Sequence, residues 1–179
     1  MPLVVLIGGA RSGKSRLAVR LAAAQPSPVR LIATAVAQDA EMAERIAEHR
    51  RRRPSSWQTV EEPLRLREAI DEAGGDTCLV IDCLTLWTTN ALERFGAAEA
   101  ETFAAAAAAA ASDRRALTVA VTNEVGLGVV PDNPIGRSYR DLLGRVNAVW
   151  ADAADHVLLV VAGRALALEK AGSILEGLR

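Results

Sequence analysis

Aromatic side chains are scarce, with three Trp, two Phe and one Tyr among 179 residues. A single-stranded nucleic-acid platform stacks bases on such rings, so a nucleic-acid partner is not expected. The formal net charge of −1 closes the electrostatic route as well, because no global field would recruit a polyanion or a membrane surface. Only two cysteines are present, Cys78 and Cys83, and their spacing matches no zinc pattern. They flank one apolar run and read as core residues of a reduced, cytoplasmic protein rather than as a disulfide framework. Half of the residues are hydrophobic, yet no apolar run approaches the roughly 18 residues of a membrane span. Arg11, Lys14 and Arg16 interrupt the N-terminal apolar run early, so no signal peptide is expected. No linker-like stretch divides the chain, and 179 residues can bury one full core, so a single domain is expected.

Against these absences stands one dense motif. Gly8, Gly9, Ala10, Arg11, Ser12, Gly13, Lys14 and Ser15 fit the pattern G-x-x-x-x-G-K-[ST], directly after the apolar run Leu3, Val4, Val5, Leu6 and Ile7. A phosphate cradle needs backbone N–H groups converging on an anion, so glycines must open the loop and a helix start must supply unpaired donors. Lys14 would then reach the β- and γ-phosphates, and the Ser15 hydroxyl would ligate Mg²⁺. A Gly/Ser-rich connector is the plain alternative, but the preceding strand and the following amphipathic stretch with Leu17 and Leu21 favour nucleotide binding.

Short apolar runs at residues 3–7, 29–33, 78–82, 117–122 and 157–161 predict buried strands. Helical stretches at 13–24, 40–51, 64–73, 84–95, 99–115 and 135–153 alternate with them, which predicts a parallel sheet covered on both faces. The alanine tract 104–111 has high helix propensity and could form a poorly packed surface helix; it carries no chemistry. Gly163 ends the last core strand, and the residues after it, including Leu166 and Leu168, either add an edge strand or fray.

Asp82 closes the run Cys78, Leu79, Val80 and Ile81. An acidic residue at the carboxyl end of a central parallel strand faces the ligand crevice and suits a Walker B role, holding Mg²⁺ through water. The alternative is an N-cap for the helix that follows. A third feature is His49 followed by Arg50, Arg51, Arg52, Arg53 and Pro54. On a helix starting near Asp39, Met42, Ile46 and His49 share one face, and the arginines could simply complement the helix dipole, mirrored by Glu41 and Glu44. His156, after Asp155 at the start of a predicted strand, reads as structural.

Taken together, the chain resembles the bifunctional adenosylcobinamide kinase/adenosylcobinamide-phosphate guanylyltransferase family of cobalamin biosynthesis. Carrying the resemblance are the loop from Gly8 to Ser15, Ile32 through Ala35, Asp39, Glu41, Met42, Arg45, Ile46, His49, Arg53 and Pro54. It continues through Trp57, Glu61, Asp82 to Thr85, Thr89, Asn90, Thr122 to Gly126, Val130, Pro131, Arg137, Arg140, Asp141, Gly144 and Asn147. Two departures stand out: Arg50, Arg51 and Arg52 make the segment after the histidine unusually basic, and the tail beyond Leu168 runs past the family pattern, leaving residues 171–179 unassigned.

The fold class implied is α/β, a P-loop NTPase with a RecA-like, mostly parallel central sheet and helices on both faces. The resemblance implies two reactions. In one, the γ-phosphate of ATP or GTP passes to the hydroxyl of the aminopropanol arm of adenosylcobinamide. In the other, GTP guanylylates a histidine, pyrophosphate leaves, and the phosphorylated corrinoid takes the GMP to give adenosylcobinamide-GDP. By the same resemblance the nucleophile is His49, with Lys14 beside it in the catalytic set. Nucleotide contacts fall on Gly8 through Ser15, Ala33, Thr34, Ala35, Arg50, Arg51, Arg52, Arg53, Glu61 and Asp82. Mg²⁺ falls on Ser15 and Asp82. A homo-oligomer, a trimer, is implied too. The arginines would hold α-phosphate charge and disfavour a protonated histidine, against the pull of a helix C-terminus. A small-molecule kinase without nucleotidyl transfer, or a regulatory P-loop NTPase, are the competing readings.

Overall fold

The structure, a computed structural model, describes residues 2–37, 39–51 and 54–172, without the side chains of Glu41, Arg45 and His49. In chain order the elements are β1 (Leu3–Gly8), α1 (Lys14–Ala23), β2 (Val29–Ala33), α2 (Ala40–Arg51), β3 (Gln58–Glu61), α3 (Leu66–Asp71) and β4 (Cys78–Asp82). There follow α4 (Leu84–Phe95), α5 (Ala97–Ser112), β5 (Thr118–Asn123), α6 (Pro134–Ala153), β6 (His156–Val161) and β7 (Arg164–Leu168). Among the described residues one seven-stranded sheet runs β3-β2-β4-β5-β1-β6-β7. Every neighbouring pair is parallel except β6 with β7, which is antiparallel.

Strand periodicity sends alternate side chains into two cores. Leu3, Val5, Ile32, Leu79, Ile81 and Ala120 face a core built with α3, α4, α5 and α6, which includes the fully buried Trp87 and Trp150. Val4, Leu6, Leu31, Val80, Val119 and Val121 face the other way, against Ala18 and Ala22 of α1. Helices thus cover both faces, as the strand–helix alternation predicts. Continuous apolar runs are needed because both sides of each central strand are buried.

Three elements differ from the sequence expectation or resolve it. β3 is a strand of four residues with exposed Gln58, Thr59 and Glu61, so no apolar run announces it; its pairing to β2 is helped by Arg30 Nε donating to Gln58 Oε1 at 2.9 Å. The segment after Gly163 does form an edge strand, β7. The alanine tract is not a poorly packed surface helix: Ala100, Ala104, Ala107, Ala108 and Ala111 are at most 2% exposed. Methyl side chains let α5 approach α3, α4 and α6 closely, and the ring of Phe103 meets Phe95 edge-on at 5.1 Å.

α6 starts where Asn133 Oδ1 accepts from the N–H of Gly136 at 2.7 Å, with Pro134 in the first turn. α2 starts the same way, the N–H of Met42 donating to Asp39 Oδ1 at 2.7 Å. Both caps stand on the side of the sheet where the parallel strands end.

Candidate active site

The carboxyl ends of β3, β2, β4, β5 and β1 form one rim. Strand register aligns Glu61 with Ala33, Ala33 with Asp82, Asp82 with Val121, and Gly8 with Asn123. Three of the residues expected to contact nucleotide, Glu61, Ala33 and Asp82, therefore share a single row, and the loop from Gly8 to Ser15 leaves the same rim at β1.

Backbone proximity dictates the glycines of that loop. A Cβ built on Gly8 would lie 2.2 Å from the carbonyl oxygen of Val160, a backbone atom with no room to give. Gly13 has a φ of 105°, a region that L side chains avoid, and its Cβ would sit 3.2 Å from the Cα of Gly163. The turn between β6 and β7 buttresses the loop from behind, the N–H of Gly163 donating to Ser12 O at 2.8 Å.

Lys14, the first residue of α1, is 6% exposed. Its ammonium donates to Gly8 O at 2.9 Å and Gly9 O at 2.7 Å, and lies 3.4 Å from Ser12 Oγ. Burial holds its pKa below the ordinary lysine value, opposed by Cys83 once it ionises in alkaline solution and by the Asp82 carboxylate. An ammonium with its donors on loop carbonyls can swap them for phosphate oxygens without a large movement. Ser15 follows, half-buried in the first turn of α1.

Asp82, half-buried, is close enough to Lys14 for its charge to be felt there. It is not the cap of α4, because Cys83 occupies the N-cap position. Burial, and Asp82 next to it, push the Cys83 thiol up to about 11, so it stays a neutral packing group near neutral pH. No group of three or more His, Cys, Asp or Glu side chains that could hold a metal exists among the described residues. Ser15 and Asp82 are hard oxygen donors, suited to an Mg²⁺ that brings its remaining ligands as waters and nucleotide phosphate.

Thr34 is fully buried and its hydroxyl is committed elsewhere. Oγ1 donates to Cys83 O at 2.6 Å and accepts from the N–H of Cys83 at 3.0 Å, while Asn90 Nδ2 holds the Thr34 carbonyl at 2.9 Å. Its side chain ties β2 to the start of α4, leaving half-buried Ala35 and the exposed Val36 beyond it at the rim.

Arg50 and Glu61 form an ion pair that ties the last turn of α2 to the end of β3. The backbone of His49 lies in that same turn; its side chain is not described, and Arg52 and Arg53 lie outside the described residues. Arg51 is exposed. His156 is at the opposite end of the sheet, paired with Val4 near the start of β1, and is exposed.

Sequence reasoning named no site residue on β5, yet that strand ends between Asp82 and the loop. The N–H of Glu124 donates to Gly8 O at 3.1 Å, the same oxygen that accepts from Lys14. A frame locks the strand end: the N–H of Asn123 donates to Thr85 Oγ1 at 2.7 Å, Thr122 Oγ1 to Asn147 Oδ1 at 2.7 Å, and Asn147 Nδ2 to Asn123 O at 3.0 Å. Glu124 follows its apolar strand much as Asp82 ends β4, which was the available signal.

Comparison with known proteins gives this arrangement a context. A family model described as cobinamide kinase / cobinamide phosphate guanyltransferase matches residues 4–168. The chain is 44% identical over 166 residues to the bifunctional adenosylcobalamin biosynthesis protein CobP of Pseudomonas aeruginosa, covering 92% of this chain and 96% of that one. It is 40% identical over 175 residues to the bifunctional adenosylcobalamin biosynthesis protein CobU of Escherichia coli, with 90% and 96% covered. Among solved structures, a prototypical ATPase of a type III secretion system superposes with a TM-score of 0.59 at 10% identity, over 99% of this chain and 61% of that one. At that identity the likeness concerns the fold alone, that of a P-loop NTPase.

Proposed function

We propose that a single nucleotide site, at the carboxyl ends of the parallel strands, serves both reactions of this chain, which belongs to the cobinamide kinase / cobinamide phosphate guanyltransferase family. The enzyme is a bifunctional kinase and guanylyltransferase of cobalamin biosynthesis. The observation that carries the shared site is the buried ammonium of Lys14, held on the carbonyls of Gly8 and Gly9 within range of Asp82.

In both reactions the loop from Gly8 to Ser15 grips the polyphosphate through backbone N–H groups, and Lys14 trades its carbonyl partners for phosphate oxygens. Ser15 and Asp82 would hold Mg²⁺, which supplies charge neutralisation between phosphates when bound. Ala33, Thr34 and Ala35 would contact the nucleotide through the backbone, since the Thr34 side chain is engaged with Cys83. For the kinase step the nucleotide presents its γ-phosphate to the hydroxyl of the corrinoid's aminopropanol arm. For the guanylyl step His49 attacks the α-phosphate of GTP, pyrophosphate leaves, and the resulting phosphoramidate passes GMP to the corrinoid phosphate. The Arg50–Glu61 ion pair supports this assignment, because it ties the helix turn carrying His49 to the row that contains Ala33 and Asp82. Arg50, Arg51, Arg52 and Arg53 would steady the phosphate charge during that step.

Intact mass after incubation with GTP and Mg²⁺ tests the covalent step. A gain of one GMP, lost on adding cobinamide phosphate, supports it; an unmodified protein that still forms the GDP-linked product removes it. A homotrimer and a cytoplasmic location complete the proposal, the former checked by light scattering. No helix among the described residues is long and apolar enough to cross a membrane.

A further inference from the structure

We propose that Glu124 accepts the proton of the corrinoid hydroxyl during phosphoryl transfer, an inference that rests on the kinase reaction above. An alcohol must shed its proton as it attacks phosphorus, and a positioned carboxylate is the usual acceptor in such sites. Four carboxylates stand at or just past the strand ends of the rim: Glu61, Glu62, Asp82 and Glu124.

Three of them are engaged otherwise. Glu61 pairs with Arg50. Glu62 accepts from the N–H groups of Leu64 at 3.0 Å and Arg65 at 2.8 Å, and pairs with Arg65 Nη2 at 3.2 Å. Although burial works against it, these partners hold its carboxyl below the ordinary value, which makes it a weak base. Asp82 adjoins Lys14 and is the proposed Mg²⁺ ligand.

The backbone of Glu124 is fixed beside the loop. Its backbone N–H and the Lys14 ammonium converge on one oxygen, Gly8 O, at 3.1 and 2.9 Å. The strand below is fixed by Thr85 and Asn147. One carboxylate oxygen, Oε1, accepts from the N–H of Gly126, and Oε2 has no hydrogen bond among the described residues. Past it the chain exposes Leu127 at 87%, Val129 at 93% and Val130 at 59%, an apolar surface against which a bulky corrin ring can rest with its side arm reaching the carboxylate.

The step balances without a further reactant. The hydroxyl oxygen forms the new bond to the γ-phosphorus, the bond from that phosphorus to its bridging oxygen breaks, the nucleoside diphosphate leaves, and the hydroxyl proton goes to Glu124 Oε2. Guanylyl transfer differs, because its corrinoid acceptor is an ionised phosphate and needs no base.

Two acceptors therefore separate the roles. The Glu124→Gln protein, whose amide oxygen still accepts from Gly126, is assayed with cobinamide and, separately, with cobinamide phosphate. Expected is a fall in kinase kcat of about 10²- to 10⁴-fold with little change in KM for the nucleotide, while GMP transfer to cobinamide phosphate continues. Glu124→Asp should recover part of the kinase rate. A kinase kcat close to wild type, equal losses in both reactions, or an Asp variant no faster than the Gln variant would each overturn the assignment. A wild-type enzyme that phosphorylates no cobinamide removes the kinase reading itself, and the role of Glu124 with it.

Discussion

Gly8 and Val160 touch through their backbones: a Cβ on Gly8 would fall 2.2 Å from the Val160 carbonyl oxygen. The strand that ends in the phosphate loop therefore runs against β6 with no space for a side chain at the bend. Gly8→Ala is expected to push the loop off β6, costing about 1–3 kcal/mol in stability and at least tenfold in GTP affinity. Thermal unfolding and calorimetric titration with GTP check both; an unchanged affinity would mean that the loop tolerates the displacement.

Lys14 sets a pH dependence whose sign follows from its burial. Its folded pKa lies below 10.5, chiefly through desolvation, and bound phosphate must raise it. Nucleotide binding then takes up a proton between the two values. From this group, GTP affinity should fall as pH rises through the lowered pKa of the free enzyme. By linkage, folding stability from this group runs the other way, rising as pH climbs from that pKa toward 10.5. Lys14→Met should bind GTP weakly, with neither activity, and without the alkaline slope. A slope that persists in Lys14→Met would assign it to another group.

Asp82→Asn removes the charge proposed to hold Mg²⁺ while keeping the shape. The Mg²⁺ concentration for half-maximal rate should rise about 10- to 100-fold in both reactions. Titration of either activity with Mg²⁺ is the measurement. Identical curves would leave Asp82 without a metal role.

His49→Ala separates the chemistries. Alanine is a strong helix former, so α2 should persist. Radiolabel from α-labelled GTP should no longer remain on denatured protein, and guanylyl transfer should cease, while phosphorylation of cobinamide survives. His156 cannot take over, since it sits at the far end of the sheet from the phosphate loop. Wild-type labelling of the variant would move the nucleophile off both histidines.

Ala107→Leu tests the packing of α5. Ala107 is fully buried, and an isobutyl group there must force α5 away from its neighbours. A loss of about 1–3 kcal/mol is expected in chemical denaturation, with kcat nearly unchanged because none of the proposed site residues is on α5. A neutral effect would show that the helix layer has slack.

What this sequence determined by itself was local chemistry. The loop from Gly8 to Ser15 is contiguous, its glycines and lysine have the spacing that a phosphate cradle requires, and continuous apolar runs mark the parallel strands that are buried on both faces. Asp82 was legible for the same reason, as a polar residue ending such a run. Tertiary structure alone decided what depends on neighbours distant in sequence. β3 has no apolar pattern and exists because β2 offers an edge. The alanines of α5 look indifferent in one dimension and become a close-packed layer only against α3, α4 and α6. Thr34, expected at the nucleotide, spends its hydroxyl on Cys83, 49 residues away. Glu124 gains its place from Gly8 O, shared with Lys14, because strand order sets β5 beside β1 and pairs Gly8 with Asn123, far along the chain. Hydrogen bonds and packing act through space, and only the folded sheet brings those partners together.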